Sequence, residues 1–237
     1  MAEFNLGTLS GTPTVASNFV GDSDTQDIYS FRLNSTGNIN LALTGLSADA
    51  DVQLYQDTNN NGVIDIGTDR LVGRSARGGS NDDAINVESQ AAGNYLVDVS
   101  RFSGNTKYDL RLSTTSSSTA SNLLPTETEV GNLSGTRTFY DSVGKNDTAD
   151  VYHFVLNSAR NFSLSLTGLS SDADVRLYRD SNSNLAVDAG ELIGSSSNGG
   201  SLSESITSSL TAGEYFVEVF QYATNVTSNS YTLSLTA

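Results

Sequence analysis

The chain has 237 residues and a net charge of −15, because 27 acidic residues face only 12 basic ones. This surface repels nucleic-acid phosphates and anionic lipid headgroups, so we expect no nucleic-acid partner. No apolar run is long enough to span a bilayer, and we expect no membrane insertion. The absence of cysteine excludes disulfides and thiolate metal sites.

An internal repeat organises the sequence. Residues 27–57 recur 123 positions later as residues 150–180, with 20 of 31 positions identical. Because this period suits a whole domain better than a solenoid unit, we predict a first domain over 1–113 and a second over 123–237. Residues 114–122 are polar and lack periodicity, which predicts a flexible Ser/Thr-rich linker.

Alternating apolar residues predict short strands, and no stretch shows a helical apolar stripe. The fold class is therefore all-β, with two tandem antiparallel jelly-roll-like β-sandwich domains. The expected inward residues of the first copy are Tyr29, Phe31, Leu33, Ile39, Leu41, Leu43, Val52, Leu54, Tyr95, Val97, Val99, Tyr108, Leu110 and Leu112. Those of the second are Tyr152, Phe154, Leu156, Phe162, Leu164, Leu166, Val175, Leu177, Tyr215, Val217, Val219, Tyr231, Leu233 and Leu235.

A pair of aspartates precedes the first long strand of each copy. Asp24 and Asp27 of the first copy match Asp147 and Asp150 of the second. Carboxylates that recur in both copies are candidate metal ligands, although aspartates also cap turns without any metal. A further pair, Asp49/Asp51 and Asp172/Asp174, is explained almost as well by strand entry.

The strongest local motif follows the next strand and resembles the calcium loop of an EF-hand, without its flanking helices. Oxygen ligands in such a loop fall at positions 1, 3, 5, 7 and 9, with a carboxylate at 12, and alternating side chains converge on one ion. In the first copy these positions give Asp57, Asn59, Asn61, Val63 (through its backbone carbonyl) and Asp65, followed by Asp69. In the second they give Asp180, Asn182, Asn184, Ala186 (backbone), Asp188 and Glu191.

Each loop departs from the motif in a different place. The first copy has Thr68 at position 12 and its acid, Asp69, one residue later. The second has Leu185 where the motif has its sixth glycine, Gly62 in the first copy. The alternative is an Asn/Asp-rich hairpin whose side chains only cap their own turn. Because Asp at positions 1 and 9 and Asn at 3 and 5 survive in both copies, calcium is the favoured interpretation.

Signals for catalysis are weak. The single histidine, His153, has Ser30 as its counterpart and is expected to be an exposed strand residue rather than a catalytic base. The glycine pairs at 78–79 and 199–200 lack the Lys-Ser/Thr of a phosphate loop and are interpreted as turns. Carboxylate pairs could hydrolyse glycosides, but they lie in loops beside Asn and Gly, and the chain has no tryptophan to stack a sugar. We therefore expect no enzymatic activity.

Taken in order, these segments resemble the bacterial pre-peptidase C-terminal domain family. The first copy contains GDSDTQDIYSFRL, DADVQLY, AAGNYLVDVS and KYDLRLS, and the second contains GKNDTADVYHFVL, DADVRLY, TAGEYFVEVF and SYTLSLT. The family is similar to the collagen-binding domains of clostridial collagenases. The resemblance implies a jelly-roll-like sandwich appended to secreted enzymes, often calcium-binding and not itself catalytic. It also implies that an Asp-x-x-Asp segment shares its metal with upstream acids: Glu127 and Glu129 in the second domain, and Glu3 in the first.

The sequence thus predicts a non-catalytic, Ca²⁺-binding tandem module that acts in extracellular adhesion, in a matrix or as an accessory protein. The alternative is a calcium sensor or buffer whose interdomain arrangement responds to the metal. Besides calcium, an extracellular protein or polysaccharide is a possible partner, and a monomer is expected. No signal peptide is visible, and a secreted or cell-surface bacterial protein is the expected location.

Overall fold

The computed structural model describes residues 3–237, which divide between Ser116 and Ser117 into two compact units. Each unit contains a five-stranded and a four-stranded sheet. The fold class predicted from the sequence is confirmed: the described residues are all-β and form two sandwich-like halves. No helix within residues 3–237 is long and apolar enough to cross a membrane.

The first unit contains nine strands in two sheets. The strands are β1 (Phe4–Thr8), β2 (Thr14–Val20), β3 (Gln26–Leu33), β4 (Gly37–Thr44), β5 (Asp49–Gln56), β6 (Arg70–Ser75), β7 (Asp83–Gln90), β8 (Gly93–Ser103) and β9 (Thr106–Thr115). The five-stranded sheet has the order β1-β3-β8-β5-β6, and the four-stranded sheet the order β2-β9-β4-β7.

The second unit repeats this topology. Its strands are β10 (Thr128–Asn132), β11 (Thr136–Val143), β12 (Ala149–Leu156), β13 (Arg160–Thr167), β14 (Ala173–Tyr178), β15 (Leu192–Ser196), β16 (Glu204–Leu210), β17 (Gly213–Gln221) and β18 (Asn229–Thr236). The five-stranded sheet runs β10-β12-β17-β14-β15, and the four-stranded sheet runs β11-β18-β13-β16. Strand order therefore matches position for position between the units.

One pair of strands in each unit departs from the antiparallel expectation. Strand β1 lies parallel to β3, and β10 lies parallel to β12. Each parallel strand is short and lies at the sheet edge, where its hydrogen bonds to a single neighbour suffice. The arrangement has a consequence for the site, because it places Glu3, Glu127 and Glu129 beside the strands that contain Asp27 and Asp150.

The cores lie between the two sheets of each unit. Every residue that the period-two pattern placed inward is buried and belongs to one of the two main core clusters. Alternation of apolar and polar residues is therefore sufficient to position the faces of these strands, since a shift of one residue would turn the whole set outward. The edge strands have few buried residues and gave no comparable signal.

Part of the predicted linker 114–122, together with Leu124 just after it, packs against the second unit. We name Ser117–Leu124 the strap, because it runs across the outer face of the second unit's five-stranded sheet. Ala120 packs with Ala149 and Phe220, and Leu124 packs with Val151, Tyr178 and Phe216. Three apolar residues among many serines and threonines supply this anchoring, which a composition rule for linkers does not register.

Candidate functional site: two calcium-type loops and an acidic pair

The loop between β5 and β6 is organised by the first of its predicted ligands. Asp57 is buried at the end of β5, and its Oδ1 and Oδ2 accept hydrogen bonds from the backbone N–H groups of Asn61 (3.2 Å) and Gly62 (3.0 Å). Asn59 and Asn61 also form turns with their own backbone: each Oδ1 accepts the N–H two residues ahead. The chain thereby curls around the carboxylate of position 1, as a calcium loop requires.

The predicted side-chain ligands converge on one point. The amide groups of Asn59 and Asn61 both donate to the same oxygen, Oδ2 of Asp65, at 2.9 and 2.7 Å. These two hydrogen bonds lower the pKa of the Asp65 carboxyl, with the bond from Asn59 as the larger cause. Positions 3, 5 and 9 thus meet, and the amide N–H groups take the place next to Asp65 that a cation would occupy.

The loop between β14 and β15 repeats this geometry closely. Asn184 N–H and Leu185 N–H donate to the two oxygens of Asp180 at 3.2 and 2.8 Å. The amide groups of Asn182 and Asn184 both donate to Oδ2 of Asp188 at 2.8 Å. The same positions therefore make the same hydrogen bonds in both copies, although the intervening residues differ.

Asp69, one residue after position 12, makes the same contacts as Glu191 at position 12 of the second loop. Asp69 accepts the N–H groups of Thr58 and Asp65 with its two oxygens, each at 2.9 Å. Glu191 accepts those of Ser181 (2.8 Å) and Asp188 (2.9 Å) in the corresponding positions of its own loop. A shorter side chain from one residue later therefore reaches the same place as a longer one. Both acids clamp the two ends of their loops together through positions 2 and 9.

Position 6 explains the missing glycine of the second loop. Gly62 has φ of 70° and Leu185 has φ of 55°, so both adopt the left-handed conformation that favours glycine. Leu185 packs against the strap in the cluster that contains Leu124, which offsets the strain. The strap also bonds the loop through the carbonyl of Leu185 and the N–H of Val187. Neither of these two bonds uses the carbonyl of Ala186, the predicted ligand of position 7.

The Asp-x-x-Asp segment of the first unit ends in a buried tyrosine pair. Asp27 is buried, and Tyr108 donates its hydroxyl hydrogen bond to Asp27 Oδ2. The hydroxyl of Tyr108 also lies 2.7 Å from that of Tyr29. Burial raises the pKa of Asp27, the bond from Tyr108 opposes this, and the charges of Asp24 and Glu3 raise it further. The structure therefore brings both predicted aspartates and Glu3 into one electrostatic neighbourhood.

The second unit holds the same arrangement with one more carboxylate. Tyr231 donates to Asp150 Oδ2 at 2.5 Å and lies 2.8 Å from the hydroxyl of Tyr152. Burial and then the charge of Asp147 raise the pKa of Asp150 well above its usual range. Burial, then Asp141, raises the pKa of Asp147, although the side chain keeps contact with solvent.

Asp141 was missed by the sequence reasoning. It lies on β11 directly opposite Tyr231 in the antiparallel register, whereas the first unit has Asn18 opposite Tyr108. Because the repeat filter kept only residues present in both copies, it discarded this acid. The available signal was its place in a strand that leads into the Asp-x-x-Asp segment.

The upstream acids contact the strand that the resemblance implied. Glu127 Oε2 accepts the N–H of Val151 at 2.8 Å, and Glu129 Oε2 lies 2.7 Å from Nδ1 of His153. His153 is half-buried rather than exposed as expected, and its ring lies against that of Phe216 with a tilt of 37° and a centroid distance of 4.9 Å. This histidine therefore has a structural environment, with an acid on one side and a ring on the other.

The third aspartate pair has a structural role. Asp49 Oδ2 accepts the N–H of Gly79 at 2.9 Å, and Asp172 Oδ2 accepts that of Gly200 at 3.0 Å. The glycine pairs that might have suggested phosphate loops are thus turns between β6 and β7 and between β15 and β16, each anchored by an aspartate. Turn anchoring accounts for Asp49 and Asp172, the first residue of each pair.

The donor set fits calcium better than a transition metal. Among the described residues, no three His, Asp or Glu side chains lie close enough to hold an ion by themselves. Each predicted ligand set instead adds two amides and a backbone carbonyl to its three carboxylates. Such an all-oxygen set matches the six to eight hard ligands that Ca²⁺ takes and lacks the nitrogen and sulfur donors preferred by zinc and copper.

Comparison with known proteins places the repeats in one family. The model of the bacterial pre-peptidase C-terminal domain matches residues 25–101 and 148–221, which together make up more than half of the chain. The chain is similar to the crystal structure of the pre-peptidase C-terminal domain of collagenase from Bacillus anthracis, with 23% identity and a TM-score of 0.37, covering 47% of this chain and 96% of that one. It is also similar to the PBSX exported protein XepA, with 11% identity and a TM-score of 0.36, covering 97% of this chain and 88% of that one.

No curated protein matches the chain significantly. The family match is independent of the two structural similarities, and it falls on both copies of the repeat. The resemblance seen in the sequence is therefore confirmed: the chain belongs to the bacterial pre-peptidase C-terminal domain family, with two of its domains in tandem.

Proposed function

We propose that this chain is a non-catalytic, calcium-binding tandem module of an extracellular bacterial protein, in which bound ions stiffen each sandwich for adhesion, matrix assembly or an accessory role. Domains of this family are accessory domains and occur in secreted bacterial proteins. The observation that carries the calcium part is the repetition of one loop geometry in two loops of different sequence.

Both loops make the same internal hydrogen bonds, which argues that both serve the same function. The carboxylate of position 1 organises the loop, and the amides of positions 3 and 5 meet the carboxylate of position 9, in both units. A turn needs only one such cap to form. Convergence of three oxygen-bearing side chains next to the position 1 carboxylate that organises the loop exceeds that need, and it is the arrangement that an ion of 2.3–2.6 Å coordination distance exploits.

Acids with raised pKa support a second ion near each Asp-x-x-Asp segment. Asp150 is buried beside Asp147 and Asp141, and a nearby divalent cation would offset both the repulsion and the lost hydration. The first unit has Asn18 in place of Asp141, so we expect its version of this site to be the weaker one.

Thermal unfolding of chelator-stripped protein with and without calcium tests the proposal. Binding to the folded state alone raises its stability by mass action, by about 2.7 kcal/mol at a free-ion concentration of a hundred dissociation constants. We expect the calcium-dependent rise in melting temperature to fall by more than half in the double variant D57A/D180A. Asp49→Ala/Asp172→Ala is the matched control, because those aspartates anchor turns outside the loops.

The proposal fails if calcium leaves the melting temperature of the unchanged chain where it was. It also fails if the control variant loses the calcium response as fully as D57A/D180A does. Magnesium at the same concentration should have a smaller effect, because it demands octahedral geometry and keeps its water ligands.

A calcium sensor is the second candidate, and the strap favours it. Leu124 N–H bonds the carbonyl of Leu185 at 2.9 Å, and Val187 N–H bonds the carbonyl of Asn122 at 3.0 Å, so the strap is fastened to the second loop itself. Calcium in that loop would then affect the segment that begins directly after the unit boundary. Small-angle scattering with and without calcium distinguishes the candidates: a change in radius of gyration supports the sensor, and an unchanged profile supports the stiffened module.

A further inference from the structure

The outer face of the five-stranded sheet carries a matched row of residues in each unit. In the first unit the register aligns Asn5, Ser30, Leu96 and Tyr55 across β1, β3, β8 and β5. In the second unit it aligns Glu129, His153, Phe216 and Tyr178 across β10, β12, β17 and β14. The two rows occupy the same place in the fold and can be compared side chain by side chain.

Smaller side chains leave a cavity in the first unit at this place. Ser30 stands where the second unit has His153, Leu96 where it has Phe216, and Gly62 where it has Leu185. Ser30 and Gly62 line a cavity with a volume of about 480 Å³. That volume lies within the range typical of small-molecule sites, about 300–1,000 Å³. One wall of the cavity is the loop segment Asn60–Gly62, and the floor is formed by β1, β3 and the start of β8.

Arg32, with its guanidinium group, lines this cavity. Arg32 lies opposite Asn94 on the outer face, and its Nε bonds Oδ1 of Asn34 at 3.3 Å. Within the described residues no carboxylate lies within ion-pair distance of Arg32, although the chain has 27 acids for 12 bases. Its counterpart in the second unit is Val155, opposite Glu214. The first unit alone therefore offers a guanidinium fork, which suits a carboxylate or another planar anion.

The rest of the polar lining contains one carboxylate, Asp57, whose two oxygens accept the N–H groups of Asn61 and Gly62, and is otherwise rich in carboxamides and hydroxyls. Asn5, Asn60, Asn61, Asn94, Ser30 and Thr8 all contribute. A carboxamide offers donors and an acceptor on one group, which matches the paired hydroxyls of a sugar ring. Phe31 and Tyr95 belong to the floor but are almost fully buried, so the lining provides no apolar slot for a peptide side chain.

We infer that this cavity of the first unit binds a carboxylated saccharide, with Arg32 on the carboxylate and the surrounding amides on the hydroxyls. The inference goes beyond calcium binding: the cavity shares Asp57, Asn61 and Gly62 with the proposed calcium loop, whereas Arg32 lies outside that loop. The corresponding surface of the second unit is filled by the pair of Glu129 and His153 and presents Glu214, and it does not bind an acidic sugar.

The test is a calorimetric titration of the full chain with a galacturonic acid trisaccharide and with the neutral galactose trisaccharide of the same linkage, each with calcium and with chelator. We expect binding of the acidic sugar in both solutions and roughly tenfold or more weaker binding of the neutral one, because a charge-assisted hydrogen bond is lost. Amide chemical shifts at Ser30, Arg32 and Asn94 should move, and those at His153, Val155 and Glu214 should not.

Two substitutions drawn from the second unit sharpen the test. Arg32→Val should weaken binding of the acidic sugar roughly tenfold or more, and Ser30→His should weaken both sugars by filling the space. Arg137→Val, an exposed arginine on β11, is the control for net charge. Absence of binding at millimolar sugar, equal loss in R137V and R32V, or shift changes confined to the second unit would each overturn the inference.

Discussion

The two units share one topology and one loop geometry, yet they treat the outer face of the five-stranded sheet differently. In the second unit the strap covers this face, and Leu124 joins Val151, Tyr178 and Phe216 in a small apolar cluster. Gly62 of the first unit corresponds to Leu185, the loop residue that packs against the strap in the second unit. A cavity lined by polar groups lies beside Gly62. The two copies thus share the Asp/Asn loop geometry and differ in the outer face, which is covered in the second unit and open in the first.

The contrast extends to buried acids on that face. Glu218 is fully buried beneath the strap, with Oε2 bonded to the hydroxyl of Tyr178 at 3.2 Å and a further bond from the backbone of Ser121. Burial is the largest cause that raises its pKa to about 8, and Arg176 opposes the shift. Asp98 occupies the matching place in the first unit and bonds Gln26 at 2.9 Å. Burial raises the pKa of Asp98 as well, so both faces hold a buried acid at this place, and only Glu218 lies beneath the strap.

Among the variants that probe the difference between the two outer faces, Leu124→Ala is expected to change the free energy of unfolding most. It removes a fully buried side chain from the cluster beneath the strap, at a cost of about 2–4 kcal/mol to the second unit's free energy of unfolding. Unfolding followed by amide signals of each unit should show the second unit destabilised and the first unchanged. Leu202→Ala, at an exposed leucine of the same unit, is the control and should change little.

Glu218→Gln is expected to alter the pH dependence of the second unit. The raised pKa means that the folded state holds more protons than the unfolded state between pH 4.5 and 8, so stability falls as pH rises through that window. Between pH 6 and 8 the substitution should remove about 2 kcal/mol of that fall. Denaturant unfolding at several pH values measures it. A slope identical to that of the unchanged chain would contradict the buried, protonated state of Glu218.

Asp141→Asn makes the acidic site of the second unit resemble that of the first, where Asn18 stands. We expect the pKa of Asp147 to fall, because the charge of Asp141 is one cause that raises it. Calcium affinity at this site should weaken by roughly tenfold at most, as for loss of one carboxylate ligand among several. Titration of the Asp147 carboxyl carbon by NMR, and calcium binding followed on the same sample, check both parts. An unchanged titration of Asp147 would contradict the assignment of Asp141 to this acidic site.

Exchange of residues at position 6 of the loops should have the smallest effect. Gly62→Ala places a Cβ at φ of 70° with no packing partner nearby, which costs about 1 kcal/mol. Leu185→Gly relieves similar strain but loses contact with the strap, so the two contributions oppose each other and the net change should stay below about 1 kcal/mol. A clear stabilisation by Leu185→Gly would show that the strap does not compensate the strain at Leu185.

Sequence reasoning located what depends on local pattern and missed what depends on tertiary packing. The alternation around Tyr29 and Tyr152 positions the cores, and the repeat singles out the loops that begin at Asp57 and Asp180. The strap was missed because its anchors are single apolar residues whose partners lie far away along the chain. Asp141 was missed because it is present in only one copy, and the parallel edge strands because short strands lack a periodic signal.

The central claim is that both loops bind calcium, and calorimetric titration of chelator-stripped protein tests it most directly. The account predicts saturable binding of two or more calcium ions per chain, with loss of one ion in each of the single variants Asp57→Ala and Asp180→Ala. Absence of binding heat, or an unchanged stoichiometry in both variants, would contradict it and leave the Asp/Asn loops as turns that cap themselves.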